Sequence, residues 1–281
     1  MTDDAERNHD EYLLALLRRC QERNIKLNRS KFKYKLKEAP YCGHIISSVG
    51  LRADPAKVAA VREMPTPTDV TGLKRFLGMA NYLARFLPGH ADMCQPLREL
   101  LNKDFEWHWT ERHESAMREV CEAVTKAPVL QYFQASQQSV VQCDASGTGL
   151  GAVLLQGGKP VEFASRALST AERNYAQIEK ELLAVLFGLE RFDQYVYGRH
   201  VYIESDHRPL QIIAKKPIGS APKRLQRMFC ECNVMNTPLD IGRARNYLSL
   251  TRCPERIQHV MGSRATLKKW RKLVSNVRLS R

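Results

Sequence analysis

Between residues 9 and 28, Leu13, Leu16, Leu17 and Cys20 fall at helical spacing, which predicts an amphipathic helix. Asp10 and Glu11 near its start suit the positive end of the helix dipole. Short extended pieces are expected around 32–36 and 41–47, closed by a turn at Val49-Gly50. A helix and a hairpin cannot bury a core alone, so this segment reads as the end of something larger. Pro65-Thr66-Pro67 then separates a helix over about 55–63 from a second one capped by Thr68. Leu73, Phe76, Leu77 and Ala80 mark the buried face of that second helix, and a third fits 111–126 with Thr110 as its cap. Residues 52–127 therefore read as mostly helical.

The pattern changes after Pro128. Residues 139–144, 151–156 and 161–165 read as three strands joined by Gly-rich turns. A long helix follows from Leu168, with Ser169 and Glu172 spaced as a capping box. Tyr175, Ile178, Leu182, Val185, Leu186 and Leu189 form its apolar face. Residues 201–205 make a fourth strand. The order β-β-β-α-β predicts a mixed-sheet α/β domain, in a chain that is α+β overall. Past Met228 no stretch is both periodic and capped.

Three acidic residues stand out in this frame. Asp144 and Asp206 close the first and fourth strands, and Glu181 lies inside the long helix. An Asp after a strand is usually a turn residue and a helical Glu usually faces solvent. All three, in that order and in that frame, favour a metal site instead. Magnesium is a hard cation that takes carboxylate oxygens and keeps several waters. Two such ions about 4 Å apart activate a water and stabilise the leaving oxygen in phosphodiester hydrolysis. Ser146, Gly147 and Gly149 make a small turn after Asp144, where a nucleic-acid backbone could meet main-chain amides.

Charge points the same way. The 281 residues carry a formal net charge of +14, which suits an anionic partner, nucleic acid first. The excess is uneven: from Phe229 onward eleven Lys/Arg stand against three acidic residues, +8 of the +14. Eight cysteines without a CxxC pair argue against a zinc ribbon and for reduced thiols in the cytosol or nucleus. No apolar run reaches membrane-spanning length, and the polar Met1-Thr-Asp-Asp4 start does not read as a signal peptide.

Over roughly residues 5–228 the chain resembles the Pol polyprotein of Ty3/gypsy-type LTR retrotransposons. Gly43-His44-Ile45-Ile46-Ser47 is similar to the family's LGHIIS strand at the primer-grip end of the palm. Arg75 to Phe86, RFLGMANYLARF, followed by Pro88-Gly89, resembles the thumb segment FLGLxxYYRRFIPxF. Phe105-Glu106-Trp107 with Trp109 resembles the family's FxW segment. Asp144-Ala-Ser-Gly147, Gly151-Ala-Val-Leu154, Phe163-Ala-Ser-Arg166, Tyr175 through Ala184, and Ser205-Asp-His-Arg-Pro-Leu210 resemble its RNase H domain. The resemblance implies that Asp144, Glu181 and Asp206 are metal-binding catalytic positions for Mg2+, or Mn2+, in hydrolysis of RNA in RNA–DNA hybrids. Candidate nucleic-acid contacts are Lys74, Arg75 and Arg85 with Gly43, His44, Ser146 and His207, although basic residues on a helix more often form a solvated face. The implied partners are an RNA–DNA hybrid or other nucleic acid and other Pol-derived chains, with no membrane.

The chain departs from the family at both ends. The family's polymerase aspartates lie upstream, and no Tyr-x-Asp-Asp hairpin surrounds Asp3 and Asp4, so DNA synthesis is expected to fail. The family's fourth RNase H carboxylate is missing from this reading frame. Residues 228–256, back-translated and read two bases later, permit VLRMQRYEYT and then RPGKELPFPDTLSRA, the string the family should show. A frameshift just after Met228 would place the missing Asp across Leu250 and Thr251. The expected organisation is a palm end (1–51), thumb and connection helices (52–134), a C-terminally incomplete RNase H-like domain (135–228) and a frameshifted, disordered basic tail (229–281). RNase H activity is expected to be impaired; the rival reading is a non-catalytic nucleic-acid-binding remnant.

Overall fold

The computed structural model describes residues 5–102, 106–214, 219, 221–234 and 239–243. It comprises two compact units, Met1–Ala39 and Pro40–Arg281.

In the first unit, helix α1 (Ala5–Glu22) ends six residues before the predicted 28, and the chain leaves it through Asn24 at φ 53°. Asn tolerates this left-handed conformation better than most residues. The expected strand at 32–36 does not form, because Lys35 is also left-handed (φ 48°) and breaks the extended run. The Tyr34 hydroxyl and the Lys35 ammonium instead donate to the Asp10 carboxylate on α1.

Strand β1 (Glu38–Tyr41) straddles the boundary between the units. A turn at Cys42-Gly43 splits the single extended piece predicted over 41–47. Strands β2 (His44–Ser47) and β3 (Gly50–Ala53) make an antiparallel hairpin. Leu51 exchanges both backbone hydrogen bonds with Leu130, at 2.7 and 2.8 Å, tying the hairpin to the approach of the main sheet. Helices α2 (Pro55–Arg62), α3 (Val70–Tyr82), α4 (His90–Met93), α5 (Gln95–Glu99) and α6 (Glu111–Thr125) confirm the helical reading of this stretch. The cap of α3 is Asp69, one residue beyond the predicted Thr68; its carboxylate accepts from Gly72 N at 2.6 Å.

The main sheet contains β4 (Ser139–Ala145), β5 (Gly149–Gln156), β6 (Lys159–Ala167), β7 (Val201–Ser205) and β8 (Leu239–Arg243), in the order β6-β5-β4-β7-β8. The pairs β4–β5 and β5–β6 are antiparallel, while β4–β7 and β7–β8 are parallel. The long helix predicted from Leu168 is broken in two. The Ser169–Glu172 capping box forms and starts α7 (Thr170–Arg173). Ala176 is then extended (ψ 151°), its N–H donates to Glu179, and α8 (Gln177–Arg191) begins anew. Two short helices, α9 (Asp193–Val196) and α10 (Arg208–Ala214), flank β7.

Order does not stop at Met228, contrary to the sequence expectation. Helix α11 (Lys223–Val234) runs on and buries Leu225, Met228, Phe229 and Cys232 in the same core as α8. These positions have helical spacing, but the polar residues around them masked it. Strand β8 then pairs with β7, so the sheet is not closed off at β7. The rest of the basic tail, including Leu250 and Thr251, lies outside the described residues.

Both faces of the sheet are covered. On one, Val141, Ala152 and Leu154 pack with Leu182, Val185 and Leu189 of α8. On the other, Val153, Leu155 and Phe163 pack with Leu73, Phe76, Phe86 and Val120 of the helical segment. Every residue of β5 is buried, as in strands covered on both sides. Glu162 of β6, also buried, receives Arg85 and Arg191 at 3.3 Å each and the Tyr195 hydroxyl at 3.1 Å.

The spacing between α8 and the sheet is set at Gly188, where a Cβ would meet Cys143 Sγ, Ala152 Cβ and Val141 Cγ1 at 3.0–3.2 Å. Gly188→Val should therefore cost about 1–3 kcal/mol through overpacking. Calorimetric melting should show a lower Tm; an unchanged Tm would mean that the helix–sheet contact is not tight.

Candidate metal centre

Asp144 is the penultimate residue of β4, paired with Gly151 of β5. Asp206 directly follows β7, the parallel neighbour of β4. Two adjacent parallel strands thus deliver two carboxylates to the same sheet end. Glu181 comes from the second turn of α8, which lies across that sheet. One ligand-capable oxygen from each of Asp144, Glu181 and Asp206 lies within 4.8 Å of the others. The structure thus brings the three sequence-predicted acids together.

Glu181 is held firmly. Gln177 Nε2 donates to Glu181 Oε1 at 2.8 Å and to the Ala145 carbonyl at 3.0 Å, bridging helix and strand. Glu181 Oε2 is buried with no hydrogen-bond partner among the described residues. Burial raises the Glu181 carboxyl to about 8, and the charges of Asp144 and Asp206 add to the rise. Asp206 is raised too, by desolvation first and then by Asp144. Crowded carboxylates, one with an orphaned buried oxygen, fit a hard divalent cation, which takes oxygen ligands and offsets their repulsion.

The remaining predicted residues divide. Gly43, Lys74 and Arg75 line one groove of about 510 Å³, together with Lys57, Met79 and Tyr82. His44 is stacked on Tyr82 and edge-on to Phe86, 5.2 Å from each, and its Nδ1 is buried without a hydrogen-bond partner among the described residues. Arg85 lies elsewhere, engaged with Glu162. Ser146 is half-buried, and its hydroxyl is used within the turn after Asp144. His207 follows Asp206; its N–H donates to Ser205 Oγ at 3.2 Å, and burial lowers its imidazole. Sequence reasoning missed Gln177. Its four-residue spacing from Glu181 was legible, but a Gln in the first turn of a helix carries no signature of its own.

Residues 109–203 match the family model of the RNase H-like domain found in reverse transcriptase. The mixed sheet and the acidic cluster agree with that class, whose members are metal-dependent. The chain is related, further, to retrotransposon Pol polyproteins over about 70% of its length. It is 37% identical over 190 residues to the Pol polyprotein of transposon 297 from Drosophila melanogaster, covering 67% of this chain and 18% of that one. It is 30% identical over 218 residues to that of transposon gypsy from the same organism, covering 73% and 21%. The chain thus spans about a fifth of these relatives' length. In fold it is similar to a foamy viral protease-reverse transcriptase solved in complex with RNA/DNA hybrid, with a TM-score of 0.71 at 19% identity over 88% of this chain and 35% of that one.

The raised Glu181 carboxyl gives a pH signature. The folded state keeps this proton up to about 8, the unfolded chain only to about 4.5. The stabilisation is therefore complete below about 4.5 and is lost as pH rises through about 8. Without divalent metal, Tm should fall across this window. Glu181→Gln should flatten the fall, and added Mg2+ should restore Tm most at the alkaline end. Parallel Tm–pH curves for the parent and Glu181→Gln would contradict this.

Proposed function

We propose that this chain cleaves the RNA strand of an RNA–DNA hybrid, with Asp144, Glu181 and Asp206 holding Mg2+, or Mn2+ in its place. The observation that carries this reading is the convergence of the three carboxylates, with Glu181 Oε2 buried and unpartnered among the described residues. The bound metal would activate a water and stabilise charge on the phosphodiester oxygens. The protein's part is to fix the carboxylates. Glu181 must shed its proton to act as a ligand, while Gln177 keeps its side chain in place. Lys74 and Arg75 in the groove, with Lys57, supply positive charge for phosphate contacts. The foamy viral neighbour was solved with such a hybrid, which makes a hybrid the first substrate to test.

Among the described residues the cluster has three carboxylates, one fewer than the resemblance implies. Slow turnover belongs to the proposal, since loss of one ligand loosens a metal site. Buried cysteines outside any disulfide, such as Cys94 and Cys232, suit a reducing compartment, cytosol or nucleus. Among the described residues no helix is long and apolar enough to cross a membrane.

A labelled RNA–DNA hybrid with Mg2+ should be cut by the chain, and Asp144→Asn should reduce the rate by about a hundredfold or more. A cooperatively melting protein that leaves the hybrid intact would overturn the reading. Salt-sensitive hybrid binding by that uncleaving protein would identify a binding module instead.

A further inference from the structure

We infer that Asp92 is a positioning residue for the metal centre, acting through the turn that follows Asp144. The inference deepens the metal-site reading above and rests on it.

Asp92 belongs to the helical segment and sits on α4, 52 residues before Asp144 in the chain. Its Oδ1 accepts from Thr148 Oγ1 at 3.0 Å and from Ser146 Oγ at 3.2 Å. Ser146 Oγ in turn accepts from the backbone N–H groups of Thr148, at 3.1 Å, and Gly149, at 2.7 Å. Ser146 N closes the turn on the Gly149 carbonyl at 2.9 Å. One carboxylate oxygen therefore orients both hydroxyls of a turn that starts two residues after Asp144. Gly149 gives a separate sign of this close approach: a Cβ there would collide with the Asp92 carboxylate. The helix itself is fixed nearby, where Ala91 N donates to Ser165 Oγ of β6 at 3.0 Å.

Without the Asp92 oxygen, the two half-buried hydroxyls lose their shared acceptor, and Ser146 Oγ is left with partners inside its own turn only, the Gly149 carbonyl at 3.2 Å and the Thr148 hydroxyl at 3.3 Å. The turn loosens, and with it the strand end that carries Asp144. A partner bonded directly to a metal ligand is worth about 10–100-fold in metal affinity, and Asp92, which acts through the turn, belongs at the lower end. Asn at position 92 keeps an acceptor oxygen for both hydroxyls and removes only the charge. The pair Asp92→Ala and Asp92→Asn thus separates positioning from direct ligation.

The test uses the full chain, with Ser165→Ala as a control that removes the other anchor of α4. Amide hydrogen exchange is read on metal-free protein, and Mg2+ affinity by calorimetry. Asp92→Ala should exchange about tenfold faster at Thr148 and Gly149 and bind Mg2+ about tenfold more weakly. Asp92→Asn should recover most of both effects, and Ser165→Ala should lower Tm without changing Mg2+ affinity. Unchanged exchange and affinity in Asp92→Ala would overturn the inference. So would equal losses in Asp92→Asn and Asp92→Ala, which would make Asp92 a charge or a ligand. A parent chain that binds no Mg2+ would sink the metal-site reading and with it the role of Asp92 at a metal centre, while faster exchange in Asp92→Ala would still show that Asp92 pins the turn.

Discussion

Three carboxylates within 4.8 Å of one another repel, and the fold must hold them against that repulsion. A loop could not, because it would relax and let the charges part. Here Asp144 rides on β4 and Asp206 directly follows β7, its parallel neighbour, while Glu181 rides on a helix pressed onto that sheet at Gly188. The partial protonation implied by the raised Glu181 carboxyl is how such a cluster lowers its charge when no cation is bound. The same strain is a store of affinity for a hard divalent ion.

Polar contacts reinforce this frame where apolar packing cannot. Gln177 joins α8 to the Ala145 carbonyl one residue beyond Asp144. Glu162 gathers Arg85 from the helical segment and Arg191 and Tyr195 from the end of α8 and α9 onto one buried carboxylate. Removing a single partner from such a group leaves a desolvated charge, so each bond matters more than an exposed ion pair would. Arg224 of α11 does similar work at the start of α8, pairing with Glu179 at 2.9 Å and lying 4.2 Å from the Tyr175 ring centroid.

Much of this was legible because local chemistry decided it. The four strands over 139–205 and the three acids follow from apolar runs ending in Asp and from one capped helix. Lys35 and Cys42 show where local reading fails, since neither residue type advertises a left-handed backbone, yet each breaks a predicted strand. The break at Ala176 escaped notice because the apolar spacing continues across it, while the cap comes from Glu179 further along. Helix α11 was hidden because its buried face, Leu225, Met228, Phe229 and Cys232, is narrow and set among charges. Asp92 carried no signal at all. Its partners, Ser146 and Thr148, are brought to it only by the tertiary fold.

The continuous burial of β5 bears on modularity. Its Val153 and Leu155, with Phe163 beside them, are roofed by residues drawn from before the sheet begins, such as Leu73 and Phe86. An autonomous domain would close its own sheet. This sheet borrows half its cover from its neighbour in the chain. A segment cut out from Pro128 onward would keep every acid of the cluster and yet present a sticky apolar face to water. The two regions are in that sense a single folded object, and substitutions on the helical roof are felt by the sheet beneath.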